Sequence, residues 1–123
     1  MDTNWILPLT IVVLVVATFA FKRFTQLSTA KARRMIADGA IVLDVRSPSE
    51  FKRDAVPGTV NLPLDSLATS VPGRFPDRNQ VFLIHCLSGG RSLMGCRTLK
   101  GLGYTQVHNL GSLSHARTVC RKE

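Results

Sequence analysis

The chain contains no Cys-x-x-Cys pair, and its three cysteines, Cys86, Cys96 and Cys120, stand at unrelated spacings. An odd, scattered count excludes a disulfide framework, and no zinc-ligand pattern accompanies it. Reduced thiols on the cytosolic side fit best. Acidic residues are also few: 8 Asp and Glu stand against 16 Lys and Arg, for a net charge of +8 and a pI near 10.3. Such a balance ordinarily points to nucleic acid. Aromatics are only 7% of the residues, however, and none interleaves the basic ones in a binding motif, so no nucleic-acid partner is expected. Internal repeats and low-complexity tracts are absent. At 123 residues there is room for one domain, and 45% hydrophobic with 20% charged residues excludes wholesale disorder.

Charge is missing altogether from residues 5–21, which read Trp-Ile-Leu-Pro-Leu-Thr-Ile-Val-Val-Leu-Val-Val-Ala-Thr-Phe-Ala-Phe. As a helix this run spans roughly 25 Å, at the short end for a bilayer core. Pro8 falls in the first turn, where proline is tolerated. Trp5 at one end and Phe19, Phe21 and Phe24 at the other suit the two interfaces, with Lys22 and Arg23 snorkelling. A cleaved signal peptide needs a positive leading region, which residues 1–4 lack, and Thr18-Phe-Ala20 is a weak cleavage site. A buried core helix is disfavoured because so small a domain could hardly cover it. One transmembrane helix is therefore expected. Five basic residues (Lys22, Arg23, Lys31, Arg33, Arg34) follow it, which places the rest of the chain on the cytoplasmic side of the cell (inner) membrane. Residues 1–27 read as anchor and basic juxtamembrane linker, and 28–123 as the folded domain.

The chemistry is concentrated in Val81-Phe-Leu-Ile-His-Cys86-Leu-Ser-Gly-Gly-Arg91-Ser92. An unbroken apolar run reads as a strand buried on both faces of a parallel sheet. Beyond it Leu93, Met94, Cys96 and Leu99 recur at roughly helical spacing, so the loop joins a strand to a helix. Ligands bind at the carboxyl ends of strands in such sheets. Gly89 and Gly90 let the backbone curl, and the N–H groups of residues 87–91 are then placed to form an anion nest at a helix N-terminus. A thiol over such a nest, with Arg91 close, has its thiolate stabilised. Cys86 is thus a candidate nucleophile, the alternative being a small buried hydrophobe.

Elsewhere strand and helix alternate, predicting a parallel sheet flanked by helices. Ser28 or Thr29 is placed to cap a helix through about Asp38, stopped by Gly39, with Met35 and Ile36 inward and Arg33 and Arg34 on a solvated or lipid-facing side. Residues 24–27 read as a short linker. Strands are expected over 41–45, 60–62, 81–84 and 106–109. Ser47 caps a short helix begun by Pro48, with Phe51 packing inward. Residues 64–67 form a helical turn, and Pro72, Gly73 and Pro76 mark 68–79 as a surface connection. A terminal helix is expected over 112–121.

Cys86-Leu-Ser-Gly-Gly-Arg91-Ser92 resembles the active-site loop of the rhodanese family of sulfurtransferases. Three further segments resemble that family in order: Ile41-Val-Leu-Asp-Val-Arg46-Ser-Pro-Ser-Glu50-Phe51, Val56-Pro57-Gly58-Thr59-Val60-Asn61-Leu62-Pro63, and Leu102-Gly103-Tyr104-Thr-Gln-Val107-His-Asn109-Leu110. The similarity runs from about Ser28 to Gly111. Two departures stand out: Asp54-Ala55 replaces a Gly-His pair, and Gly111-Ser112-Leu113-Ser114-His115 replaces a Gly-Gly and tryptophan segment.

The resemblance implies a rhodanese-like α/β fold and a Cys86 persulfide. Sulfur would come from thiosulfate or a persulfide donor and leave to a thiol or cyanide acceptor, with no metal or organic cofactor. Leu87, Ser88, Gly89, Gly90, Arg91 and Ser92 would bind substrate. Arg91 closes the loop and attracts an anionic donor, while Ser88 and Ser92 contact the persulfide or merely satisfy backbone groups. Asp44 and Arg46, two apart on one strand face, read as an ion pair bracing the loop. His85 points away from its neighbour and reads as packing, Cys96 as core, and Cys120 as exposed. A cysteine phosphatase or arsenate reductase is the rival enzyme, but its loop is one residue longer than the four between Cys86 and Arg91. The non-enzymatic rival is a membrane-tethered interaction module.

Overall fold

The computed structural model describes residues 3–25 and 27–121, with side chains described for all of these except 22–25. Parallel strands β1 (Ile41–Asp44), β2 (Val60–Asn61), β3 (Phe82–His85) and β4 (Val107–Gly111) form one sheet in the order β2-β1-β3-β4. Adjacent strand residues face opposite ways, so Leu43, Phe82 and Ile84 enter one apolar cluster while Val42 and Leu83 enter another. Both faces of the central strands are buried, which is why β1 and β3 read as apolar runs over 41–43 and 82–84.

Helices α4 (Leu67–Arg74) and α5 (Gly90–Gly101) supply Leu67, Val71, Cys96 and Leu99 to the first cluster. Helices α2 (Thr29–Ala37) and α6 (Leu113–Cys120) supply Ala32, Leu113, Ala116 and Val119 to the second. Each large apolar side chain so buried contributes about 1.5–3 kcal/mol. Local signals act as expected at several ends. Ser28 Oγ accepts from the Lys31 N–H and Gly39 takes φ +105° after α2. Ser47 and Glu50 form a reciprocal capping box on α3 (Pro48–Asp54).

Several expectations need correction. The connection predicted over 68–79 contains α4, because Leu67 and Val71, four apart, are both wholly buried against the sheet. That burial outweighs Pro72 inside the helix. The buried face of α5 is Ser92, Gly95, Cys96 and Leu99, whereas Leu93 and Met94 are exposed. Gly95 brings the helix close to the sheet, since a Cβ there would lie 3.4 Å from Ile84 and Leu67 side-chain atoms. Arg33 is not simply solvated: it donates to the Thr118 and Val119 carbonyls at the end of α6. Cys120 is half-buried against the second cluster rather than exposed.

The N-terminal run does form a helix, α1 (Ile6–Thr25), which takes in part of the expected linker. Its apolar side chains from Ile6 to Phe21 are exposed, and among the described residues no other element packs extensively on it. Among the described residues, no helix is long and apolar enough to cross a membrane. The expected transmembrane span is therefore not supported as drawn; Lys22 and Arg23 end the uncharged run early. The snorkelling expected of those two residues, and the interfacial place of Phe24, fall on side chains outside the described set. Past α1, Leu27 is fastened to the domain, its N–H donating to Asn109 O and its carbonyl accepting from His115 Nε2.

Candidate active site

The site begins where β3 runs out. Cys86 N–H donates to Gly111 O at 3.0 Å, carrying the β3–β4 pairing one residue past the strand. A register shift at Ile84/His85 accompanies this. Leu113 N–H then donates to Leu87 O, and Ser88 forms an isolated antiparallel bridge with Ser112. The segment that departs from the rhodanese pattern is thus the wall of the loop. Gly111 is buried with φ +92°, and Ser112 caps α6 by accepting the His115 N–H.

The chain next turns back over the sulfur. Gly89 takes φ +108°, and its N–H lies 3.0 Å from Cys86 Sγ. The Ser92 N–H, in the first turn of α5, lies 3.4 Å from the same atom. Cys86 therefore sits over a helix N-terminus with N–H groups aimed at it. Burial of the thiol would push its pKa up. The N–H groups of Ser92 and Gly89, with the Ser92 side chain and the Ser88 N–H, together more than offset that and hold the thiol below its ordinary value. The Ser92 hydroxyl lies 2.9 Å from Gly89 O and 2.7 Å from Asn109 Oδ1, so it fastens the loop to β4.

Gly89 tests this arrangement. A Cβ at that position would meet nothing closer than 3.8 Å, so Gly89→Ala strains the backbone without a clash. The substitution is expected to destabilise the loop by about 1–2 kcal/mol, turning the residue-89 N–H away from sulfur. The pH at which Cys86 becomes alkylated by iodoacetamide should then rise.

Arg91, expected to close the loop and attract an anionic donor, is engaged by a carboxylate. Its guanidinium forms a two-point pair with Glu50, at 2.7 Å and 3.0 Å. The Arg91 bond, reinforced by Ser47, outweighs desolvation and lowers Glu50 to a pKa of about 2. A depressed carboxylate stabilises the fold fully above its unfolded value and loses that contribution as pH falls through the folded one. The loop should accordingly stay clamped at neutral pH and loosen between about pH 4.5 and about 2. Amide hydrogen exchange of residues 87–92, measured as pH is lowered through this range and corrected for intrinsic exchange rates, would report it.

Behind the loop, Arg46 is 1% exposed and donates through Nε and Nη2 to the wholly buried Asp44. A third bond, from Nη1, reaches Asp54 at 2.8 Å. The structural ion pair expected from sequence is thus formed and extended. Asn61 Nδ2 adds bonds to the Asp44 and Arg46 carbonyls. His85 is wholly buried. Its Nδ1 lies 3.2 Å from Cys86 O and its Nε2 lies 3.7 Å from Asp44 Oδ2. Burial pulls its pKa down, against the opposing charge of Asp44. Cys96 is buried core, its thiol pushed up to about 11 by burial and so inert beside Cys86.

Leu87, Ser88, Gly89, Gly90, Arg91 and Ser92 are all brought around Cys86 by this loop. Leu87 and Ser88 are exposed, and Ser92 is buried. Glu50, Asp54, Asn109 and Gly111 are additional participants that sequence spacing alone does not single out. For Glu50 a signal was present, because Ser47-Pro-Ser-Glu50 is a capping-box pattern.

Residues 28–114 match the family described as Rhodanese-like domain. The chain is 32% identical over 71 residues to thiosulfate sulfurtransferase PspE of Escherichia coli, covering 58% of this chain and 68% of that protein. It is 26% identical over 87 residues to thiosulfate sulfurtransferase GlpE of Pseudomonas syringae, covering 71% and 80%. Its fold is similar to that of the human single-domain sulfurtransferase TSTD1, with TM-score 0.65, 27% identity and coverage of 74% of this chain and 93% of that one. The matched segment contains the Cys86 loop, the Asp44–Arg46 pair and β1 to β4, and the chain belongs to the rhodanese-like domain family as a rhodanese-type sulfurtransferase.

Proposed function

We propose that Cys86 carries sulfur as a persulfide, taken from thiosulfate or a persulfide donor and passed to a thiol or cyanide. The carrying observation is the pair of N–H groups, from Gly89 and Ser92, aimed at Sγ. The Cys86 thiolate attacks the outer sulfur of thiosulfate, a new S–S bond forms, and the old one breaks to release sulfite with its electron pair. The terminal persulfide sulfur carries the negative charge, which N–H groups of the loop, Gly89 and Ser92 among them, would stabilise. A thiolate or cyanide then attacks that terminal sulfur, leaves as a persulfide or thiocyanate, and regenerates the Cys86 thiolate.

The test is intact-mass analysis of the protein after exposure to thiosulfate. One added sulfur, lost again on adding cyanide, is expected; no added mass would overturn the reading. The alkylation rate of Cys86 should rise with pH through a midpoint below that of an ordinary thiol, as its lowered pKa requires. Phosphatase or arsenate reductase chemistry is disfavoured by the four-residue Cys86–Arg91 spacing and by the engagement of Arg91 with Glu50. A non-catalytic interaction module would have no need of a thiol held over N–H donors.

The reading includes attachment to a lipid bilayer through α1, with the domain on the cytoplasmic side. Support comes from the exposed apolar side chains of α1 from Ile6 to Phe21 and the basic residues that come after Phe21 in the sequence. Flotation of the full chain with liposomes, and inaccessibility of an engineered surface cysteine to impermeant reagent in intact cells, would test attachment and side in turn.

A further inference from the structure

Beyond residues 5–21, the large hydrophobic side chains exposed among the described residues are Leu87, Leu93 and Met94, at 53%, 39% and 57%. All three fall within eight positions after Cys86. The rest of the domain's large apolar side chains are turned inward or half-buried, so exposed apolar surface is gathered at the mouth of the cysteine loop. Such a patch marks a surface that meets something.

The attachment of α1 indicates what it meets. Only one residue separates Thr25, the last of α1, from Leu27. The end of that helix therefore lies within about 7 Å of Leu27, the reach of two peptide units. Leu27 is held on both sides, by Asn109 O at 3.2 Å and by His115 Nε2 at 2.6 Å. Asn109 in turn accepts the Ser92 hydroxyl, and Ser92 donates to Cys86 Sγ. The tether thus enters the domain at the same carboxyl edge of the sheet that carries the cysteine. Arg97 is exposed and lines one cleft with Met94, Leu64, Asp65 and Thr98, so that cleft carries one charge of each sign. An apolar patch on the edge where an apolar helix is tethered matches a lipid surface.

We propose that the sheet edge bearing Cys86 faces the lipid surface, with Leu87, Leu93 and Met94 seated at the headgroup boundary. The site then exchanges sulfur with a thiol or persulfide that carries an apolar tail and resides at that interface. This rests on the reading that α1 attaches the protein to the bilayer.

The experiment uses the full chain in phosphatidylcholine/phosphatidylglycerol liposomes whose acyl chains are brominated near the headgroup. Trp5, the single tryptophan, is replaced in Trp5→Phe, and one tryptophan is returned by Met94→Trp or, on the opposite edge, by Thr105→Trp. Bromine is expected to quench the residue-94 probe at least about threefold more than the residue-105 probe, as a shallowly inserted face requires. Equal quenching, or stronger quenching at 105, in protein that still floats with the liposomes would overturn this orientation and leave the attachment standing. Failure to float would overturn the attachment, and the orientation with it. A residue-94 emission that shifts to the blue with protein concentration before lipid is added would assign the patch to a second copy instead, and overturn the lipid reading.

Discussion

Cys86→Ser is expected to abolish sulfur transfer, lowering turnover at least about a thousandfold, because a hydroxyl is hardly ionised at neutral pH and forms no persulfide. The fold should be retained. Serine is nearly isosteric with cysteine, and the Gly89 and Ser92 N–H groups that now face Sγ would face a hydroxyl oxygen. Urea unfolding should therefore report a midpoint close to that of the parent, alongside a silent thiosulfate–cyanide assay. Cys96→Ser should behave in the opposite way. Its side chain is 4% exposed in the first apolar cluster, and an unpartnered hydroxyl there destabilises by about 1–3 kcal/mol while transfer continues. Cys120→Ser should retain activity as well. Substantial turnover in Cys86→Ser would remove the nucleophile from the mechanism.

Asp44→Ala is expected to produce the largest loss of stability of any single polar substitution in the domain. Asp44 is wholly buried and accepts Arg46 Nε at 3.0 Å and Nη2 at 2.8 Å, and Arg46 itself is 1% exposed. Removing the carboxylate leaves a buried guanidinium held only by Asp54, which is partly solvated. Stranding one member of a buried pair destabilises by about 3–5 kcal/mol, a large share of the roughly 5–15 kcal/mol available to a domain. The double substitution Asp44→Leu/Arg46→Met should recover part of that loss, since no charge is then left unpaired. Chemical denaturation of the three proteins measures both effects. Equal stability of Asp44→Ala and the parent would show that Arg46 reaches solvent or another partner.

The same pair shows how far local sequence reasoning carries. Asp44 and Arg46 sit two apart on a strand, so their shared face and mutual pairing follow from the pleat alone. Their third partner, Asp54, follows only from how α3 returns past the strand. Arg91 is a similar case. Its place five positions after Cys86, directly behind Gly89 and Gly90, is legible, but its pairing with Glu50 joins positions 41 residues apart. Spacing predicts an arginine at the mouth; it does not predict that a capping-box glutamate already holds it. Residues 68–79 went unread for a related reason. Two prolines and a glycine argue for a loop when propensity is all that counts, whereas Leu67 and Val71 form a helix because the sheet offers them a place to bury.

What the sequence alone determined is whatever depends on neighbours along the chain: the strand that leads into Cys86, the glycine that turns at residue 89, the caps at Ser28 and Ser47, and the apolar run that becomes α1. Backbone sterics and i to i+3 hydrogen bonds act over a few residues, so their residue types are sufficient evidence. Tertiary structure decided which carbonyl receives the Cys86 N–H, which carboxylate clamps Arg91, and which edge of the sheet Leu27 joins. Those contacts link segments dozens of residues apart, and they exist only once burial of both sheet faces has brought β1, β3 and β4 side by side.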